Sequence, residues 1–125
     1  MIVDSSALIA TLYNEPEAEA CAGAIYAAPQ SRISAANFLE VAIVIDGARS
    51  PVASRRLDDL MTQIGLAIET VTESQARIAR EAYRDHGRGT GHPARLDFGD
   101  CFAYALARET REPLLFKGDD LDLPM

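Results

Sequence analysis

Short apolar runs separated by stretches of helical periodicity constrain this chain more than any other feature. Ile2-Val3 ends abruptly at Asp4, Arg32-Ile33-Ser34 forms a weaker run, Leu66 to Val71 a third, and Pro113-Leu114-Leu115-Phe116 a fourth. Between them apolar residues recur at helical spacing, as in Phe38, Leu39, Ala42, Ile43 and Ile45. Strands joined by helix-sized connections cannot close hairpins, so they pair in parallel, with helices covering the sheet. The expectation is an α/β chain with three layers, α/β/α, around a small parallel sheet of four or five strands. A length of 125 residues fits a single domain spanning 1–125.

Helix punctuation supports the same plan. Pro16 sits in the first turn of a helix that Pro29 ends, and Gly47 stops the helix through Phe38. Further helices are expected over Val52 to Met61, after the cap Thr72-Glu73-Ser74, and from Phe98 to about Arg108. Gly87 to Pro93 is too rich in glycine to hold a helix and reads as a loop.

In parallel α/β sheets, function gathers beyond the carboxyl ends of the strands. The acids fall there. Asp4 closes the first strand, and Asp119 and Asp120 follow the fourth, after Lys117-Gly118. Glu40 lies early in the helix after the second strand, while Asp97 and Asp100 open the helix before the fourth, three apart and so on one face. Each has a plain structural explanation when taken alone. Asp4 and Asp97 are placed to cap helices, Glu40 could close a capping box with Asn37, and Asp100 complements a helix dipole. Asp119 and Asp120 could be solvated turn residues. Together, converging carboxylates repel one another unless a cation joins them. A hard divalent cation, Mg²⁺ or Mn²⁺, suits oxygen ligands and supports phosphodiester hydrolysis.

A net charge of −7 weighs against simple electrostatic binding of nucleic acid. The segment from Arg84 to Arg95 offsets this locally, with Arg84, Arg88, Arg95, His86 and His92 against one Asp. Those arginines are candidates for gripping an RNA backbone beside the acids. His86 and His92 lack zinc-site spacing. Cys21 and Cys101, far apart and each in an apolar pattern, are expected to be buried free thiols of a reducing compartment. The start has no basic leader, and no apolar stretch approaches a membrane span, so a soluble, cytoplasmic protein is expected.

Four segments then carry a resemblance: Ile2-Val3-Asp4-Ser5-Ser6-Ala7-Leu8, Asn37-Phe38-Leu39-Glu40-Val41, Arg95 through Ala105, and Pro113 through Asp120. In this order and spacing they resemble the PIN-domain ribonucleases, specifically the VapC-type toxins of toxin–antitoxin pairs. The resemblance covers essentially the whole chain. It implies a PIN-like α/β/α domain and metal-binding carboxylates at Asp4 and Asp100, with Glu40 orienting a water or serving as a further ligand. Ser6 matches the hydroxyl residue that accompanies the first Asp. The fourth acid is Asp120 in preference to Asp119, because Gly118 stands where many relatives carry an acid. Asp97 stands where relatives often carry Asn and is read as supporting. The resemblance further implies Mg²⁺ or Mn²⁺, a structured RNA substrate such as tRNA or ribosomal RNA, a homodimer, and a cognate VapB-type antitoxin whose tail covers the site. A phosphoacceptor receiver domain shares the length and plan, but Val71-Thr72-Glu73 has no Asp where one is required. A dehalogenase-type phosphatase needs a second Asp where Ser6 stands, and a non-catalytic interaction module leaves the acids without a use.

Overall fold

The computed structural model describes residues 1–117. Ten elements follow one another: β1 (Ile2–Val3), α1 (Ser5–Leu12), α2 (Ala18–Ala27), β2 (Arg32–Ser34), α3 (Ala35–Gly47), α4 (Pro51–Ile64), β3 (Ala67–Glu69), α5 (Glu73–His86), α6 (Phe98–Thr110) and β4 (Leu114–Leu115). The four strands form one sheet in the order β3-β2-β1-β4, and every pairing is parallel. Ile2 lies opposite both Arg32 and Leu114, and Ile33 opposite Ile68. The sheet has four strands among the described residues, within the expected range.

This order explains the layers. The chain steps from β1 to β2 to β3 in one direction, then returns past β1 to β4 on the other side. Right-handed crossovers therefore put α1 to α4 over one face and α5 with α6 over the other. The reversal falls between β1 and β4, the crevice where open parallel sheets bind ligands. Asp4 leaves β1 at that point.

Local chemistry sets the helix boundaries. Ser34 caps α3 by accepting from the Ala36 amide at 3.3 Å. Ser50 caps α4, with Pro51 at the first helical position, and Gly65 ends it in a left-handed conformation at φ +60°. Thr72 caps α5 by accepting from the Gln75 amide at 3.1 Å. The third strand is shorter than its apolar run, while α4 reaches Ile64 and α6 reaches Thr110, beyond the ends read from periodicity. At α6 the helix continues until Arg111 turns it out at φ +58°.

Val3, Leu8, Ile33, Val41 and Ile45 are buried together beneath α1 and α3. On the other face Ala79, Ala82, Leu96 and Tyr104 join α5 to α6. Buried Ala105 packs toward Ala79 and Ala82 of α5, while buried Ala107 packs toward Ile2 of the sheet. Cys21 and Cys101 are both free and buried, as expected. No helix among the described residues is long and apolar enough to cross a membrane.

Leu8 is fully buried in the larger core cluster. Leu8→Ala should destabilise the protein by about 2–5 kcal/mol, transfer and cavity together, measured by urea denaturation. A loss below about 1 kcal/mol would mean that α1 does not pack as described.

Candidate active site

The carboxylates are delivered by helix starts. Asp4 caps α1: its Oδ2 accepts from the Ser6 amide at 2.9 Å, and the residue is only 4% exposed. Asp97 caps α6 and forms a reciprocal box with Asp100. The Asp100 amide donates to Asp97 Oδ1 at 2.9 Å, and the Asp97 amide donates to Asp100 Oδ2 at 3.0 Å. Two expected structural roles are therefore real, and they do not compete with chemistry. The caps engage Asp4 Oδ2, Asp97 Oδ1 and Asp100 Oδ2.

Glu40 has a different support from the one read in the sequence. Asn37 is not a cap, because Ser34 takes that place and Asn37 lies inside α3, fully buried. Its Nδ2 donates to Gly99 O at 2.9 Å, to Ser5 Oγ at 3.0 Å and to Glu40 Oε1 at 3.5 Å. The Ser5 hydroxyl in turn donates to Glu40 Oε1. One amide thus ties α1, α3 and α6 together behind Glu40. Turning it over would set Oδ1 against these acceptors, so the donor face is fixed. The consequence is that Oδ1 is buried without a hydrogen-bond partner among the described residues.

Gly99 completes this arrangement. A Cβ on it would lie 2.5 and 2.6 Å from the two Glu40 carboxylate oxygens. A side chain here would push the Glu40 carboxylate off its bonds to Ser5 and Asn37. Sequence reasoning missed Asn37, Ser5 and Gly99 as site residues. The usable signal was Gly99 itself, since glycine inside a helix costs about 1 kcal/mol relative to Ala.

Ser6, singled out in the sequence as the companion of Asp4, hydrogen-bonds the Asp4 carboxylate through both its side chain and its amide, and its Oγ also accepts from the Lys117 amide at 2.9 Å. Ser5 supplies the hydroxyl bonded to Glu40. Asp119 and Asp120 lie outside the described residues. Of the three arginines, Arg84 is exposed and bonds to its neighbour Asp85, and Arg95 is exposed with φ +47°. Arg88 lines a groove that also includes Asp97. His86 and His92 stack edge to face with ring centres 4.4 Å apart.

Electrostatics mark the acids as a group. Burial pushes the Asp4 carboxyl above the usual carboxylate range, and the charges of Glu40 and Asp97 push it further. Asp100 is pushed up to about 7, first by burial and then by Asp97 and Asp4. Burial, with the charges of Asp100 and Asp97, raises the Cys101 thiol to about 11, which removes it as a nucleophile. None of the four acids forms an ion pair with Lys or Arg among the described residues.

An all-oxygen, mutually repelling donor set suits a hard divalent cation. No three His, Cys, Asp or Glu side chains among the described residues form a ready metal-holding group.

Comparison with known proteins agrees with this geometry. The PIN domain family matches residues 1–123. The chain therefore belongs to the PIN-domain family. Ribonuclease VapC28 of Mycobacterium tuberculosis is 57% identical over 120 residues, covering 96% of this chain and 90% of the relative. Ribonuclease VapC of Mycolicibacterium smegmatis is 44% identical over 119 residues, covering 95% and 92%. These identities place the chain among the VapC ribonucleases. The crystal structure of M. tuberculosis VapC20, described as a toxin cleaving the sarcin-ricin loop, superposes with TM-score 0.71 at 16% identity over 96% of this chain and 91% of that one. A toxin–antitoxin complex from Klebsiella pneumoniae contains a chain matching at TM-score 0.69 and 20% identity, over 94% and 85%. Both share the fold.

Two measurements test the site's construction. Gly99→Ala should destabilise the protein by about 1–3 kcal/mol, as overpacking does. Gly23→Ala, in α2 with nothing within 4 Å of the added Cβ, should be neutral or stabilising by up to about 1 kcal/mol. Equal effects from the two would remove the steric argument. The raised Asp100 carboxyl also predicts a pH dependence. Between the unfolded value of 3.8 and the folded value of about 7, the folded state holds the proton that the unfolded state has released. Stability in EDTA should therefore fall as pH rises through that window. Asp100→Asn should flatten this part of a thermal-melt profile. An identical slope in both proteins would show that Asp100 titrates normally.

Proposed function

We propose that the protein is a Mg²⁺- or Mn²⁺-dependent endoribonuclease acting as the toxin of a type II toxin–antitoxin pair. The observation that carries this reading is the gathering of Asp4, Glu40, Asp97 and Asp100 at the switch point of a parallel sheet, with burial and mutual repulsion raising Asp4 and Asp100. Family membership and 57% identity to a VapC ribonuclease support it.

In this reading Asp4 and Asp100 hold the cation, and Asp97 keeps Asp100 in place. A bound divalent cation supplies charge neutralisation at the phosphate and a more acidic water. Glu40, held by Ser5 and Asn37, orients the attacking water and accepts its proton. Asp120, or Asp119, serves as the fourth acid. Arg84, Arg88 and Arg95 contact the RNA backbone. The substrate class is structured RNA, tRNA or ribosomal RNA. VapC20 is described as cutting the sarcin-ricin loop, which favours that class. The partners are a second copy of the chain and a VapB-type antitoxin covering the acids, in the cytoplasm. The toxin–antitoxin complex among the structural neighbours favours the antitoxin. A phosphoacceptor reading has no support at β3, where Thr72 caps a helix.

Incubation of the purified protein with total RNA and Mg²⁺ should yield discrete fragments. Asp4→Asn, Asp100→Asn and Glu40→Gln should each lower the cleavage rate by about a hundredfold or more, and EDTA should stop it. Full activity in EDTA or in Asp100→Asn would overturn the metal mechanism.

A further inference from the structure

A groove between α5 and α6 abuts the carboxylates without being used by them. It encloses about 470 Å³ and is walled by Tyr83, Phe98 and Phe102, with buried Ala79 and Cys101 behind them. Two of the chain's four Phe and one of its four Tyr thus meet in one place. Phe98 and Phe102 stand edge to face with ring centres 4.8 Å apart. Phe98, the first residue of α6, is 77% exposed, and Tyr83 is 47% exposed. Two large rings presented to solvent around a cavity mark a binding surface.

The charge around the groove says what it binds. Arg80 and Arg88 both line it. Neither forms an ion pair among the described residues, whereas Arg77 pairs with Glu73 and Arg84 with Asp85. Arg77, Arg80 and Arg84 recur at helical spacing along α5, and Arg88 follows its end. Glu73, Glu81 and Asp85 balance most of that row, which leaves Arg80 and Arg88 as the unpaired cations beside the aromatic cavity among the described residues. Asp97 closes the groove on one side and bonds to Asp100 on the other. The groove and the acids therefore share a wall.

We propose that this groove receives one unstacked base of the RNA substrate, sandwiched against Phe98 and Tyr83, while Arg80 and Arg88 hold the flanking phosphates. Proteins read single-stranded RNA by stacking splayed bases on aromatic rings and bonding the backbone through arginine. A base seated there places the neighbouring phosphate at Asp4 and Asp100. The groove would then select unpaired nucleotides, in a loop or bulge, as the site of cutting. A second copy of the chain fits it less well. A two-fold contact through this face would bring four arginines, Arg80 and Arg88 of each copy, against only one Asp97 from each.

The inference rests on the ribonuclease reading, and the test separates the two. Wild type, Phe98→Ala, Phe98→Trp and Arg80→Gln would be titrated in EDTA against a short fluorescein-labelled single-stranded RNA of mixed sequence. Cleavage of the same strand in Mg²⁺ and the sedimentation mass of each protein would be measured in parallel. The expected result is binding about tenfold weaker for Phe98→Ala, restored by Phe98→Trp and weakened in Arg80→Gln, at unchanged mass. KM should rise in Phe98→Ala with kcat nearly unchanged. Unchanged binding and KM in Phe98→Ala, with wild type still cutting RNA, overturn the groove alone. A fall in mass in Phe98→Ala makes the groove an interface between copies and also overturns it. Wild type that neither binds nor cuts RNA ends both readings.

Discussion

A single buried amide governs the geometry of the acidic crevice. Asn37 Nδ2 reaches the first turn of α1 through Ser5, the first turn of α6 through Gly99, and Glu40 on its own helix. Those helix starts carry Asp4, Asp97 and Asp100, so the relative placement of four acids passes through one side chain. Charge-assisted and neutral hydrogen bonds of this kind are worth more in a buried setting than on the surface. They are also unforgiving, since a buried polar group that loses its partner costs about 1–3 kcal/mol. Asn37 already bears part of that cost at Oδ1.

The helix caps and the acidic cluster draw on the same carboxylates here. Asp4 and Asp97 stop the unsatisfied amides of α1 and α6 from facing an apolar environment, and in doing so fix their own rotamers. Helix starts also carry partial positive charge, which offsets some of the repulsion among the acids. The offset is incomplete. Asp4 and Asp100 remain easier to protonate than a solvated carboxylate, which is the electrostatic condition that a divalent cation relieves.

Much of this was legible in the sequence. Short apolar runs separated by helical stretches sufficed for a parallel sheet of four or five strands, and the described residues form four. Asp4, Glu40, Asp97 and Asp100 were legible because the carboxyl edge of such a sheet is where side chains become available for chemistry. What was not legible depends on contacts between distant segments. Asn37 and Glu40 have the spacing of a capping box, and only the fold reveals that Ser34 occupies the cap and that Asn37 faces Gly99. Ser5 and Ser6 are chemically identical, and the rotation of α1 alone decides which faces Glu40. The aromatic groove joins α5 to α6 across the loop between them, and no single segment announces it.

The parallel sheet has a consequence for the order of events during synthesis. Its central strand β1 is made first, yet one of its neighbours is β4, and the pairing joins Ile2 to Leu114. Such distant pairing makes the fold slow to close, since loop-closure entropy must be met before any contact rewards it. Asp4 is synthesised long before Asp100, and no growing chain that lacks α6 can bring the acids together. A nuclease built this way has no assembled acidic site until nearly all of its chain has emerged.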